Sequence, residues 1–195
     1  DLVMRTVFRD IKLWLQNNQL NHRVAVNISA VQFSQRDFIK KVDVLLNETG
    51  LDTQYLEFEL TEASVMQNVD YALSAMTQLK QRGIHLALDD FGTGYSSLSY
   101  LKKFPIDILK IDKSFVDDMG LADVNKRIVK SIIELSHHLK LKVIAEGVET
   151  LSQQDMLTSI GCDSIQGYLY SKPVDYDAVT KLLVAGRSLH DTVSA

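Results

Sequence analysis

Six short runs of strand character punctuate the chain: V-A-V-N-I (Val24–Ile28), L-E-F-E-L-T (Leu56–Thr61), the run from His85 into D-D-F-G-T-G, I-L-K-I-D (Ile108–Asp112), Lys142–Ala145 leading into A-E-G-V-E-T, and Ser164–Tyr168. They recur about every 20–35 residues with helical patterns between them, the rhythm of a parallel sheet in an α/β protein. The intervening patterns predict helices. Met4, Val7, Phe8, Ile11, Trp14 and Leu15 form a stripe within Asp1–Leu20. Ser34 is the expected cap of a helix that Gly50 stops, and Leu73, Met76 and Leu79 mark a helix ending at Gly83. A short helix over Ser96–Lys103 ends before Pro105, and Val124–Leu139 places Ile128, Ile132, Leu135 and Leu139 on one face. Thr150 with Gln153 spells a capping box, and Asp175 precedes the stripe Val179, Leu182 and Leu183.

No Pro/Gly/Ser-rich linker divides the 195 residues, so they read as one domain, residues 1–195. Two architectures fit the rhythm, a doubly wound open sheet and an eight-stranded (β/α)8 TIM-type barrel. Six runs are too few to close the barrel, yet side-chain parity favours it. In L-E-F-E-L-T, Glu57, Glu59 and Thr61 share one face; in I-L-K-I-D, Lys110 and Asp112 do. A helix-covered face would not tolerate these charges, so they are expected to point inward near the carboxyl ends of the strands.

The polar residues at strand ends are Asn27, Glu59, Asp89, Asp90, Lys110, Glu146 and Gln166. Four carboxylates and one ammonium in a single mouth need counter-charge, since each uncompensated buried charge costs several kcal/mol. Two divalent cations would supply it. The set contains no histidine or cysteine, and its hard oxygen donors select Mg²⁺, Mn²⁺ or Ca²⁺ over zinc or copper. Two cations in one cleft suit phosphate-ester hydrolysis. Asp89 is then the natural bridge, Lys110 orients the water or steadies phosphate charge, and the D-F-G-T-G loop is a candidate gate. A net charge of −4 makes a nucleic-acid polymer an unsuitable partner. The single cysteine, Cys162, excludes an internal disulfide and a thiolate zinc cage, and fits a cytoplasmic setting. No apolar run approaches the ~20 residues of a membrane span, although a parent protein could carry an anchor elsewhere.

Plainer readings stand beside these. Glu62, Asp112 and Glu149 suit loop salt bridges, Glu57 a structural interior charge, and Gly92 and Gly94 a simple turn. His85 and Cys162 suit the core, and His137 and His138 a helix face.

At this point the ordered motifs resemble a known family. V-N-I-S-A-V-Q-F, E-L-T-E, D-D-F-G-T-G-Y-S-S-L, P-I-D-I-L-K-I-D-K-S-F, V-I-A-E-G-V-E-T and G-C-D-S-I-Q-G-Y-L-Y-S-K-P, spanning about 24–173, resemble the EAL-domain phosphodiesterases of cyclic di-GMP. The resemblance implies a (β/α)8-type barrel that hydrolyses cyclic di-GMP to linear pGpG with two Mg²⁺ or Mn²⁺ ions, Ca²⁺ being inhibitory. It implies Asn27, Glu59, Asp89 and Asp90 as metal ligands and Glu146 as a second-metal ligand or water-holder, with Lys110 holding the catalytic water and Glu149 supporting the site. Glu62 would anchor the loop of Gly92, Thr93 and Gly94, and Gln166 would lie near metals or substrate. A homodimer formed partly by the segment after that loop, and fusion to GGDEF or sensory domains, are further expectations. Neither the E-A-L motif that names the family nor the Q-P-I strand before it occurs in the sequence. The expectation is therefore an N-terminally truncated barrel with about six βα units, beginning after roughly the first quarter of the domain. A fragment of this kind should be impaired, and a catalytically inactive cyclic di-GMP receptor is the alternative reading.

Overall fold

The computed structural model describes residues 2–92, 98–119 and 123–185. The helices are α1 (Leu2–Gln16), α2 (Ala30–Phe33), α3 (Phe38–Thr49), α4 (Glu62–Met66), α5 (Val69–Gln81), α6 (Leu98–Leu101), α7 (Lys113–Asp118), α8 (Asp123–His138), α9 (Leu151–Ser159) and α10 (Tyr176–Val184). The strands are β1 (Val24–Ile28), β2 (Leu56–Thr61), β3 (His85–Phe91), β4 (Ile108–Ile111), β5 (Lys142–Ala145) and β6 (Ser164–Ile165). Two compact units divide the chain. The first takes its described residues from 2–88 and 98–106, the second from 89–92, 107–119 and 123–185.

In the first unit the strand order is β1-β2-β3, with β3 belonging to it as far as Leu88, and β1 runs parallel to β2 with Val24 opposite Leu56 and Asn27 opposite Glu59. Its core is aromatic. Phe58 is fully buried and lies 6.3 Å, centroid to centroid, from both Phe8 and Phe38. Phe33 meets Phe38 and Tyr71 edge-on at 5.8 Å, the offset arrangement that ring quadrupoles favour. The Tyr71 hydroxyl donates to the Gln35 carbonyl at 3.0 Å, and burial raises its pKa. Both faces of β2 are buried as far as Leu60, so Glu57 and Glu59 are enclosed together with Leu56 and Phe58.

In the second unit the order is β4-β5-β6, all parallel, with Lys110 opposite Ile144 and Ala145 opposite Ile165. Asp163 links two elements here. Its carboxylate accepts from His137 Nε2 and from the Val143 N–H, each at 2.8 Å, tying the end of α8 to β5. Burial pushes its pKa up, but these two hydrogen bonds together with the charges of His137 and Lys142 outweigh that and leave it below the usual carboxylate value.

Several expected details shift. Ser34 does not start the second helix; it ends a short α2 whose capping box is Ser29 with Gln32, and Asp37 precedes α3. The Ser-x-x-Gln spacing beginning at Ser29 captures the chain one turn earlier. On α8 the buried face is Val129, Ile133 and Ser136, whereas Ile128 is exposed. Two apolar stripes lie side by side on that helix, and the one carrying a small Ser136 is buried; its hydroxyl turns back to the Ile132 carbonyl at 2.8 Å. Strand β4 stops at Ile111 because the Asp112 carboxylate accepts the Ser114 N–H and starts α7. Strand β6 ends at Ile165 rather than Tyr168. Helix α10 begins at its expected Asp175 cap, yet none of its residues is fully buried.

Candidate metal centre

Lys110 sits mid-strand in β4, flanked by the buried Leu109 and Ile111, and is itself 2% exposed. A lysine there has to be neutralised by carboxylates within reach. Its Nζ lies 2.6 Å from Glu146 Oε1 and 3.4 Å from Asp89 Oδ1. Glu146 follows the last residue of β5, and its own N–H donates to the Ile111 carbonyl at 3.1 Å, which holds the two strand ends in step. Asp89 is buried near the end of β3, and its Oδ1 accepts the N–H of Asp90 at 3.0 Å. That turn is tight: Asp90 has φ of +56°, a left-handed conformation that non-glycine residues seldom adopt.

Asp89, Asp90 and Glu146 each offer a carboxylate oxygen within 4.8 Å of the others. Oxygens on opposite sides of a divalent cation, bound at 2.0–2.6 Å, stand about 4–5 Å apart. The donor set therefore fits a hard divalent ion in both chemistry and span.

The remaining expected residues have definite places. Asn27 and Glu59 stand opposite each other in the β1–β2 register of the first unit, Asn27 exposed and Glu59 buried. Glu62, also in that unit, is buried at the start of α4 behind its Thr61 cap. Gln166 brackets Glu146 through its backbone: its N–H donates to the Ala145 carbonyl at 2.8 Å, and its carbonyl accepts from Val148 at 3.1 Å. Glu149 lies outside the three-carboxylate group and pairs with Lys113. The hydrogen bond to Glu149 raises the Lys113 pKa. Gly92 lies at the end of the described part of its loop; Thr93 and Gly94 lie outside the described residues.

Two side chains of α7, Lys113 and Phe115, press on glycines beside this centre. Gly92 has φ of +99°, and a Cβ there would come within 2.6 Å of the Phe115 ring; Gly147, with φ of +70°, is packed as tightly by the Lys113 stem at 2.3 Å. Phe115 and Lys113 both belong to α7. The 36-residue gap between Lys113 and Glu149 has no sequence signature; the K-I-D-K-S-F run is its only local marker.

Comparison with known proteins places this arrangement. The family model described as "EAL domain" matches residues 1–173, reaching further towards the N-terminus than the motifs alone. MucR of Pseudomonas aeruginosa, a bifunctional diguanylate cyclase/cyclic di-GMP phosphodiesterase, is 40% identical over 172 residues, which are 88% of this chain and 25% of MucR. A solved MucR phosphodiesterase structure in complex with c-di-GMP superposes with a TM-score of 0.87 at 38% identity, covering 91% of this chain and 72% of that one. A Klebsiella pneumoniae BlrP1 complex with manganese and cyclic di-GMP gives a TM-score of 0.74 at 33% identity, covering 84% of this chain and 42% of that one. The chain spans only 20–30% of the length of the curated relatives it matches. The parallel strands alternating with helices are those of the TIM-type fold that strand-end parity favoured. On the extent of the family match and the identity to these relatives, the chain belongs to the EAL domain family.

Proposed function

We propose that the protein carrying this chain hydrolyses cyclic di-GMP to linear pGpG with Mg²⁺ or Mn²⁺. The observation that carries the reading is Lys110, buried between Asp89 and Glu146 with Asp90 in the same carboxylate group. Solved structures of family members bound to c-di-GMP, one of them also with manganese, support it. Asp89, Asp90 and Glu146 would hold a divalent cation, which when bound supplies Lewis acidity and a nucleophile at neutral pH. Lys110 balances the carboxylates before loading and fixes the direction of Glu146 and Asp89. Its burial keeps water from competing for those contacts.

Asn27 and Glu59 are proposed as further ligands on the family resemblance alone, and replacement of Glu59 by Gln should lower the Mn²⁺ stoichiometry. A second copy of the chain and a fused GGDEF or sensory domain are the proposed protein partners, in a cytoplasmic setting. Among the described residues no helix is long and apolar enough to cross a membrane.

The test is chromatographic: full-length protein with cyclic di-GMP and Mg²⁺ or Mn²⁺ should release pGpG, and EDTA should stop it. Binding without turnover would replace the proposal with a receptor role. No binding would reject both.

A further inference from the structure

The two loops that carry the acidic groups of the second unit, Asp89–Gly92 and Glu146–Glu149, share a neighbour that belongs to neither. Each has a left-handed glycine within two residues of a carboxylate of the group, Gly92 after Asp90 and Gly147 after Glu146, and each glycine faces a side chain of α7. The Phe115 ring occupies the space where a Cβ at Gly92 would sit. The Lys113 stem does the same at Gly147, with its Cγ at 2.3 Å and its Cβ and Cδ at 2.6 Å from that point. The Lys113 ammonium then reaches past Gly147 to Glu149.

On its other side the Glu146 loop is fastened by strand-like hydrogen bonds. Val148 donates to the Gln166 carbonyl at 3.1 Å, Leu169 donates to Val148 at 3.0 Å, and the Glu149 N–H donates to Gln153 Oε1 at 2.9 Å. Those bonds leave Gly147 as the one joint whose open φ would let Glu146 swing. The Lys113 stem closes that joint.

We infer that Lys113 is a positioning residue: its stem, held in place by Glu149, locks the Gly147 turn and so fixes the Glu146 carboxylate against Lys110 and towards a bound divalent cation. Helix α7 starts directly after β4, so the same three-residue step from Lys110 to Lys113 ties the ammonium and its brace together. This rests on the proposed phosphodiesterase reading for its consequence in turnover, but not for its effect on the carboxylate.

The experiment compares wild type, Lys113→Ala and Lys113→Arg in the full-length protein, measuring Mn²⁺ affinity by electron paramagnetic resonance, cyclic di-GMP kinetics, and melting temperature. Residues that orient metal ligands without touching the metal typically alter affinity or activity about 10–100-fold. Lys113→Ala should weaken Mn²⁺ binding about tenfold and lower kcat similarly, with KM and melting temperature close to wild type. Lys113→Arg, which keeps both stem and charge, should restore both quantities to within about threefold. Unchanged Mn²⁺ affinity in Lys113→Ala, loss in Lys113→Arg equal to that in Lys113→Ala, or no Mn²⁺ affinity in wild type would overturn the inference. Wild type that binds Mn²⁺ but releases no pGpG would overturn the function reading instead, and the affinity comparison would still decide the role of Lys113.

Discussion

Replacing Lys110 by Met keeps the volume of the side chain and removes its charge, which isolates the ammonium's part in holding the second unit together. The side chain is 2% exposed and lies against Glu146 at 2.6 Å and Asp89 at 3.4 Å. Removing one partner from a buried ion pair costs about 3–5 kcal/mol, because the remaining charges are left unmatched. A second route gives a similar figure. Two carboxylates 4.8 Å apart repel by about 3.5 kcal/mol at an effective dielectric of about 20, and the ligand oxygens of Asp89, Asp90 and Glu146 lie within that span. At about 2–4 °C per kcal/mol for a chain of this size, Lys110→Met should melt about 6–20 °C below wild type in EDTA. Saturating Mn²⁺ at a hundredfold over its dissociation constant adds about 2.7 kcal/mol to any protein that binds it only when folded. The variant's centre has lost the buried ammonium that Glu146 and Asp89 face, so its gain should exceed that of wild type and close part of the gap. Differential scanning calorimetry with and without Mn²⁺ provides the measurement. A variant that melts within a degree or two of wild type in EDTA, or gains no more from Mn²⁺, would show that Lys110 does not balance these carboxylates.

Other outcomes follow from the packing. Phe58→Ala, which empties the site between Phe8 and Phe38, should destabilise by about 3–5 kcal/mol in urea unfolding, and a loss below 1 kcal/mol would contradict the tight ring packing. Gly92→Ala combines a left-handed backbone with a 2.6 Å approach to Phe115 and should cut turnover at least tenfold, read by pGpG release; wild-type kinetics would mean the loop accommodates a side chain. The Asp163 pKa is lowered in the fold, so its contribution is complete above the unfolded carboxyl value near 4 and disappears as pH falls through the lower folded value. Asp163→Asn should therefore be less stable than wild type by about 1 kcal/mol at pH 7, a figure kept small by its part exposure, and the gap should close as the carboxylate is protonated in acid. A gap that widened in acid would reverse the assignment.

Much of this fold is legible in the sequence because strand ends advertise themselves. Alternating residues over Leu56–Thr61 and a charge within Ile108–Ile111 mark strands that bury a polar side chain, and Lys110 with Asp89 and Glu146 emerged from that rule. The Thr150 capping box was legible because it is local, two hydrogen bonds across three residues. What escaped was decided by neighbours distant in sequence. Periodicity could not choose between two adjacent apolar stripes on α8, since the choice depends on which one faces buried partners. Ser34 looked like a helix start until the competing box at Ser29 was in place. Lys113 lies in the K-I-D-K-S-F run, but its contact with Gly147 is a matter of shape that no spacing reveals.

The left-handed turn at Asp90 bears on how such a protein changes under mutation. Holding a side chain at φ of +56° costs about 1 kcal/mol that glycine would not incur. Replacement of Asp90 by Gly would thus relax the backbone and remove one carboxylate from the crowded group in a single step. Under the proposed function, stability and catalysis are opposed at that codon, since most random changes destabilise a fold while this one relieves backbone strain. Under the same reading, a lineage freed from selection for turnover would find loss of activity there to be a downhill path, with the fold intact.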